Sequence, residues 1–544
     1  MRGICDGSPV PGARPLATAA PRRSRTADAA ALVAGATLVA WGWSFNARVV
    51  GELYDYGIVV DGAYLLGRGW RPHVDVPMPI GSLVLHLARV CEAVFGDRYL
   101  ALAYGNLLFA LALFVGLFAL LRRSYGPWLS GAAAVALCAA IPLQHGILWY
   151  NSIAAAALVV AILVAAHRAA SAAPRRIDAV LLLGAVWILG MVKANGFALG
   201  IVVALAGVVA GAIRAPAARR VGAELGGLAA AVALVPLAET WLSGCTVAEW
   251  YDDVFVRPAP RARAILRAAS DPAVRRLVLW GDYNDFYLGA GGHALVGMAL
   301  VATATLVVVL AWRATGRGRC IAVLLAATGW LVGVAHVVSN FEIPVLRATP
   351  FLAVVLALPV AAGGRRPYGA ATTAVLAAAI AWCGVVAGPS IANHARLRYG
   401  TLPSGTFRPP SAAWPTHYFD GVAIGDLQWR QIDRVYAFLA GRAADDRTGF
   451  FGPSLGSLHR LTGSVPPRGL PLWWHHDLTW SAAHDAALVV AFRAADPAFV
   501  AYNWWGRNEL APGIRNDVAA RYRRVEDDPE IWVRAVRADV VADE

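Results

Sequence analysis

Apolar runs long enough to cross a membrane recur along almost the whole chain, and they constrain its fold more than any other feature. The 544-residue sequence holds eleven of them: 29–47, 99–121, 128–144, 150–166, 178–192, 196–213, 222–243, 293–312, 320–339, 344–362 and 369–389. A helix needs about 20 mainly apolar residues to cross the hydrocarbon core. Because 58% of the residues are hydrophobic, we predict an α-helical polytopic membrane protein of about eleven transmembrane helices, and not a soluble multidomain protein.

Arginine clusters between the apolar runs predict the orientation of the chain. The net charge of +13 does not indicate nucleic-acid binding, because the arginines fall in short groups that follow the positive-inside pattern. Eleven spans place these clusters and the basic N-terminus in the cytoplasm. If segment 80–96 were a further span, the Arg122 cluster would lie on the outer side together with the first loop, against the positive-inside pattern. The segment's apolar residues Leu83, Leu87, Val90 and Val94 recur at helical spacing, so we predict a helix lying on the membrane surface.

The spans divide the chain into regions of different composition. Residues 1–28 are rich in Pro, Ala and Arg and predict a disordered cytoplasmic tail, whereas 29–389 form the transmembrane domain. Two loops of that domain, 48–98 and 244–292, face outward, as does the C-terminal region 390–544. That region alternates helix-like stretches (Trp429 to Arg442, Ser481 to Ala495) with strand-like runs (Gly449 to Phe451, Phe499 to Tyr502). It therefore predicts a small extracytoplasmic α/β domain.

Cysteine usage and amino-acid bias bear on the compartment. The six cysteines are scattered without a CxxC pair, so the sequence predicts neither a disulfide framework nor a metal site. A single lysine among many alanines and arginines is typical of GC-rich coding. We interpret the protein as a multi-pass component of a bacterial cytoplasmic membrane.

The acids of the first outer loop are the first candidates for chemistry. Asp55 lies about eight residues beyond the first span, and Glu52 precedes it by three residues. A carboxylate at the membrane surface can take a proton from an acceptor hydroxyl, and a lipid phosphate can leave without a second acid. Asp55 is therefore the predicted general base, with Glu52 as the second choice. The alternative for both is an ordinary solvated loop carboxylate.

Two basic residues near the ends of spans are candidates for binding a phosphate. Lys193, the sole lysine, lies at the turn between spans 178–192 and 196–213. Arg347 lies near the outer end of span 344–362, and a cation in such a place normally faces a polar cavity or a partner. The alternatives are a snorkelling lysine and an arginine paired with Glu342.

Further polar residues of the outer loops are weaker candidates for substrate binding. Asp61 and Asp75 could orient a substrate or cap helices, and His73 lies in the same GRGWRPHVDVPMPIG segment. In the second loop, Asp252 and Asp253 stand beside Trp250 and Tyr251, a combination that suits sugar binding. A solvated loop is the alternative there. For the tryptophan pairs Trp473–Trp474 and Trp504–Trp505, we favour packing over sugar stacking.

The combination of these motifs resembles the GT-C superfamily of integral-membrane glycosyltransferases. The resemblance is carried by Asp55 in LYDYG, GRGWRPHVDVPMPIG, FGDR (Phe95 to Arg98), Lys193 in VKANG, and FFGPSLGSLHRLTGSVPP in the tail. It implies inverting transfer from a polyprenyl-phosphate sugar at the outer membrane face. The acceptor would be a glycan, a lipid or a protein. The commonest family pattern has two adjacent acids in the first loop, whereas Glu52 and Asp55 are three apart. No cofactor is implied with certainty, and a divalent cation is left open.

Two other functions remain as alternatives. A flippase or transporter of lipid-linked sugars would need charged residues at mid-bilayer and broken helices in paired repeats. A non-catalytic scaffold that binds cell-wall polymer would tolerate the loss of every first-loop acid.

Overall fold

The structure is a computed structural model that describes most of the transmembrane bundle and of the C-terminal region. The described residues are 24–50, 53–171, 175–260, 263, 316–339, 344–361, 407–442, 449–503, 509–527 and 529–535. The predicted runs 293–312 and 369–389, Glu52 and the pair Trp504–Trp505 lie outside them.

Long apolar helices form the bundle. They and the shorter helices of the loops are α1 Arg25–Asn46, α2 Tyr54–Gly67, α3 Leu83–Phe95, α4 Tyr99–Leu121, α5 Pro127–Ala140, α6 Tyr150–Ala170, α7 Arg176–Val192, α8 Ala194–Arg214, α9 Ala218–Ser243, α10 Val247–Tyr251, α11 Gly316–Ser339 and α12 Pro344–Ala361. Among the described residues, six helices are long and apolar enough to cross a membrane. The polytopic helical fold is thereby confirmed in its coarse form, while the number of eleven spans stays a prediction.

The first helix begins earlier than the predicted end of the N-terminal tail. We predicted disorder through residue 28, but α1 starts at Arg25. The reason is a cap: the Ser24 side chain accepts a hydrogen bond from the Ala27 N–H, which satisfies one of the open donors at a helix start. Asp28 in the first turn then pairs with Arg122.

The basic clusters gather at one end of the bundle. Arg122 at the end of α4 pairs with Asp28 of α1, and Arg123 pairs with Asp178 of α7. Arg168 near the end of α6 and Arg220 near the start of α9 both pair with Glu224. The first loop, the turn before α6 and the C-terminal region all contact the opposite end of these helices. We call that opposite end the loop end.

Helix α3 exposes an apolar stripe. Val84, Leu85, Ala88 and Glu92 are buried against the protein, whereas Leu87, Val90 and Val94 are exposed. At 13 residues the helix is also short for a span. This face fits the predicted surface helix, since apolar side chains that meet no protein can be buried in a membrane interface.

The C-terminal region contains short strands and helices. Its strands are β2 Phe407–Arg408, β3 Ala423–Gly425, β4 Gly449–Phe451, β5 Phe499–Tyr502, β6 Tyr522–Asp527 and β7 Glu530–Arg534; its helices are α13 Asp426–Ala440, α14 Leu458–Thr462, α15 Asp485–Ala495 and α16 Pro512–Arg521. A four-stranded sheet has the order β4-β5-β7-β6, with β4 and β5 parallel. Trp474 is fully buried in the core beside this sheet, as the packing interpretation requires.

The C-terminal region is joined to the first loop by a shared sheet. Strand β1 (Val49–Val50), directly after α1, pairs in parallel with β3, and β3 pairs with β2. The main hydrophobic core also runs from the bundle into the tail, where it includes Phe419, Ile424 and Phe451. The division into a transmembrane and an extracytoplasmic domain stays a prediction.

Replacing Gly449 by alanine should destabilise the tail. A Cβ there would overlap the ring of Phe499, which is fully buried and cannot swing away. Overpacking of this kind costs about 1–3 kcal/mol. We expect a lower unfolding midpoint in a thermal melt of the purified protein. Gly441→Ala is the control, because its nearest neighbour, the Phe438 carbonyl oxygen, would be 3.9 Å away. An equal shift for both variants would contradict the prediction.

Candidate active site

Asp55 lies in the first turn of α2, and the strand that pairs with the tail, Val49–Val50, precedes this helix in the chain. Its side chain is partly exposed, in contrast to the buried residues that follow it from Tyr56 to Ala63. A helix start favours a negative charge, because its backbone N–H groups point outward without partners in the helix. The predicted base is therefore accessible, at a place suited to a carboxylate.

A row of aromatic side chains links the start of α2 to Lys193. The Tyr56 ring lies 5.3 Å from the Trp149 ring, and the Trp149 ring lies 4.3 Å from that of Tyr150. The Lys193 ammonium stands 5.3 Å from the Tyr150 centroid, within cation–π range, and donates a hydrogen bond to Asn151. We call Tyr56, Trp149 and Tyr150 the aromatic row. It places Asp55 and Lys193 on one region of the loop end.

The turn before α6 holds the aromatic row in place. Pro142 interrupts the helical run after α5, and the Asn106 side-chain amide donates to the carbonyls of Pro142 (2.9 Å) and His145 (2.8 Å). The His145 ring lies 6.2 Å from that of Tyr56, and its Nδ1 is 2.9 Å from the Ser152 hydroxyl. All of these polar groups are buried, so their bonds fix the backbone that presents Trp149.

Segment 71–82 of the first loop passes directly beside Lys193. The Gly81 N–H donates to the Val192 carbonyl at 3.1 Å, one residue before the lysine. A side chain at 81 would run into the Met191 carbonyl, and its Cβ would lie 2.7 Å from Glu239 Oε1. Only glycine permits this approach, which is why the loop closes over the end of α7.

A buried cluster of acids around His73 anchors the same segment. His73 Nδ1 is 3.2 Å from Asp253 Oδ2, and its Nε2 is 3.8 Å from Glu239 Oε2. Ser82 donates to Glu239 from its N–H (3.0 Å) and from its hydroxyl (2.6 Å). The Met78 N–H donates to Asp253 at 3.0 Å. Because these carboxylates accept from backbone N–H groups, they fix the course of the segment and not only its charge.

Arg257 completes the cluster from the second loop. Its Nε lies 2.8 Å from Asp253 Oδ1 and 3.0 Å from Asp252 Oδ2. His73 itself adopts a φ of +65°, which is uncommon for a residue with a side chain. The surrounding bonds hold this conformation.

Asp61 and Asp75 have partners in the C-terminal region. Asp75 accepts from the Arg71 N–H at 2.9 Å and lies 3.6 Å from Arg468. Asp61 is fully buried and accepts from the Arg460 N–H at 3.0 Å. Burial raises the pKa of Asp61 well above its usual range, although the Arg460 N–H and charge oppose the rise. Both acids therefore connect the first loop to the tail.

The candidate residues fall into two groups. Asp55 precedes Tyr56, which begins the aromatic row, and Lys193 contacts Tyr150, which ends it. Asp61, His73, Asp75 and Asp253 are buried among protein partners, and Asp252 pairs with Arg257 while half exposed. Their role in substrate binding stays a prediction. Arg347 falls on α12, but its side chain lies outside the described part of the structure.

Glu239 and Arg460 were not recognised from the sequence. Glu239 had one signal, a carboxylate inside the apolar run 222–243. Arg460 had none beyond its place in the tail motif. As to metals, no three histidine, cysteine or acidic side chains in the described ranges are grouped to hold an ion.

Among known proteins, only solved structures match this chain. No family model and no curated protein matches the chain. Four solved chains match it. One is ArnT from Cupriavidus metallidurans, crystallised with undecaprenyl phosphate; it is 15% identical, and the match covers 95% of this chain and 99% of that one, with a TM-score of 0.40.

Truncating Glu239 should loosen segment 71–82. Glu239→Ala leaves the Ser82 N–H and hydroxyl without their acceptor in a buried place. We expect a loss of about 2–4 kcal/mol, seen as a lower unfolding midpoint. Asp420→Ala serves as the control, because Asp420 is 62% exposed and pairs with the exposed His417. An unchanged midpoint for Glu239→Ala would show that the cluster is not an anchor.

Proposed function

We propose that this protein is a membrane glycosyltransferase that moves a sugar from a polyprenyl-phosphate donor to an acceptor hydroxyl. Asp55 is the general base. One observation carries the proposal: an aromatic row at the loop end of the bundle begins at Tyr56, the residue after the partly exposed Asp55, and ends at Tyr150, whose ring the lone lysine contacts.

The reaction follows from these groups. Asp55 takes the proton of the acceptor hydroxyl, whose oxygen attacks the anomeric carbon of the donor sugar. The bond from that carbon to the phosphate oxygen breaks, and the lipid phosphate leaves with the electron pair. Lys193 binds the phosphate and offsets its charge, and Arg347 is the proposed second cation. The aromatic row offers faces for the sugar or the isoprenoid chain.

The site opens on the outer side of a bacterial cytoplasmic membrane in this proposal. Support comes from the other end of the bundle, where Arg122, Arg123, Arg168 and Arg220 gather. Loops rich in arginine stay in the cytoplasm. The N-terminus is then cytoplasmic, and the C-terminal region is extracytoplasmic.

Glu52 remains the second choice for the base. It lies three residues before Asp55, outside the described residues. The other predicted substrate-binding residues are proposed to act by holding the first loop in the shape that binds the substrate. They are Asp61, His73, Asp75, Asp252 and Asp253.

Removing the Asp55 carboxylate should abolish transfer. We expect Asp55→Asn to lower kcat by about 10²–10⁴-fold, the contribution typical of a general base. The measurement is transfer of radiolabelled sugar from a panel of polyprenyl-phosphate sugars. It uses membranes with matched protein levels, with and without a divalent cation. Undecaprenyl-phosphate donors come first in the panel.

Two further variants make this test specific. Asp420→Asn is the control, because it removes an exposed tail carboxylate whose partner, His417, is also exposed, and it should keep full activity. Loss of activity in Glu52→Gln alone would keep the reaction class and move the base to Glu52. Full activity in both first-loop variants, or no transfer from any donor, would overturn the proposal and favour a flippase or a scaffold.

Replacing Lys193 should weaken donor binding. Lys193→Met removes the charge and the hydrogen bond to Asn151 but keeps the length of the side chain. We expect the KM for the donor to rise about 10-fold or more, the cost of one charge-assisted hydrogen bond of about 1.5–3 kcal/mol. Lys193→Arg should recover part of it. An unchanged KM for Lys193→Met would mean that the lysine only snorkels.

A further inference from the structure

One arginine of the C-terminal region is inserted between the two helices of the first loop. Arg460 belongs to α14, and its side chain is only 5% exposed. Its Nη1 lies 2.9 Å from Glu92 of α3, and its Nη2 pairs with Asp97. The guanidinium also covers the Tyr418 ring at 4.3 Å. A buried cation with this many partners is fixed in one place.

The same stretch of tail runs along one face of α2. The Arg460 N–H donates to Asp61, and its Nη1 lies 3.5 Å from the Val60 carbonyl. Near the start of the helix, a Cβ on Gly57 would lie 3.0 Å from the Ser457 backbone nitrogen. Residues 57, 60 and 61 share a helix face, so the tail touches α2 from its first turn to its middle.

This contact reaches the proposed base. Asp55 lies two residues before Gly57, on the turn that the Gly456–Ser457 backbone supports. The same turn also contacts the aromatic row through Tyr56. Because α2 packs between the aromatic row and the tail, these two contacts determine the position of Asp55 relative to Lys193.

We propose that Arg460 is a positioning residue for sugar transfer: it holds α2 against the Gly456–Ser457 backbone so that Asp55 faces the donor site. This inference rests on the proposed function. Arg460 acts through α2 and makes no contact with the substrate. The tail then helps to set the geometry of the active site, although Arg460 is 399 residues from Asp61 in the sequence.

The charge balance explains why an arginine is needed there. Asp61 and Glu92 are both fully buried, and burial raises the pKa of each, while Arg460 opposes both shifts. Removing the arginine leaves two carboxylates without their shared cation. The helices that carry them then separate, or the acids take up protons.

The test compares two pairs of variants in the full-length protein. Arg460→Met should lower kcat by about 100-fold, the effect of a misplacement of about 1 Å in an active site. The donor KM should change by less than about threefold, because Lys193 keeps its place. Arg460→Lys, which keeps a charge beside Glu92, should recover much of the rate.

Gly57→Ala tests the same contact without removing a charge. The added methyl meets backbone and displaces α2 by a few tenths of an ångström, so kcat should fall while the protein stays folded. Gly116→Ala on α4 is the matched control, because Gly116 has no atom within 4 Å of the added Cβ. It should leave kcat unchanged.

Hydrogen exchange of the same proteins gives a readout that does not need activity. In Arg460→Met, the amides of α2 should exchange faster while those of α6 and α8 keep their protection. Unchanged kcat with unchanged α2 exchange overturns the proposal, as does faster exchange throughout the bundle, which indicates general destabilisation. If no donor is used by the wild type, the proposed function fails, and the exchange pattern still decides whether Arg460 holds α2.

Discussion

The hydrogen bonds from Ser82 to the buried Glu239 carboxylate are the anchor on which the loop end depends. They tie the first loop to the last turn of α9, and from there segment 71–82 reaches Val192 and Asp253. A carboxylate in so apolar a place is tolerated only when its oxygens are matched by donors. The cost of burying this carboxylate is offset by its hydrogen bonds from Ser82, and the same bonds order a loop rich in proline and glycine.

The first loop is held by charges from two distant parts of the chain. His73 meets Asp253 of the second loop, and Asp61 and Glu92 meet Arg460 of the tail. Neither contact involves the aromatic row. The buried acids of the loop, Asp61 and Glu92, thus hold the backbone, whereas Asp55, the proposed base, is partly exposed in the first turn of α2.

Local signals in the sequence predicted some of this arrangement. The strands Gly449–Phe451 and Phe499–Tyr502 were placed correctly because short apolar, aromatic runs stand between helical stretches. Lys193 was noticed through its rarity. Strand β1 was missed, because two residues after a span carry no alternating pattern and become a strand only by pairing with β3. Arg460 and Glu239 have partners 399 and 157 residues away, and no local periodicity encodes them.

The pairing of β1 with β3 also sets an order of events during synthesis. Val49 is in place after the first span, but its partner Ala423 is made only near the end of the chain, and Arg460 follows later. Ribosomes add about 5–20 residues per second. Asp61 and Arg460 are 399 residues apart. The synthesis of Arg460 therefore follows that of Asp61 by roughly 20–80 s. Until then Asp61 and Glu92 lack their shared cation, so this part of the loop is completed late in folding.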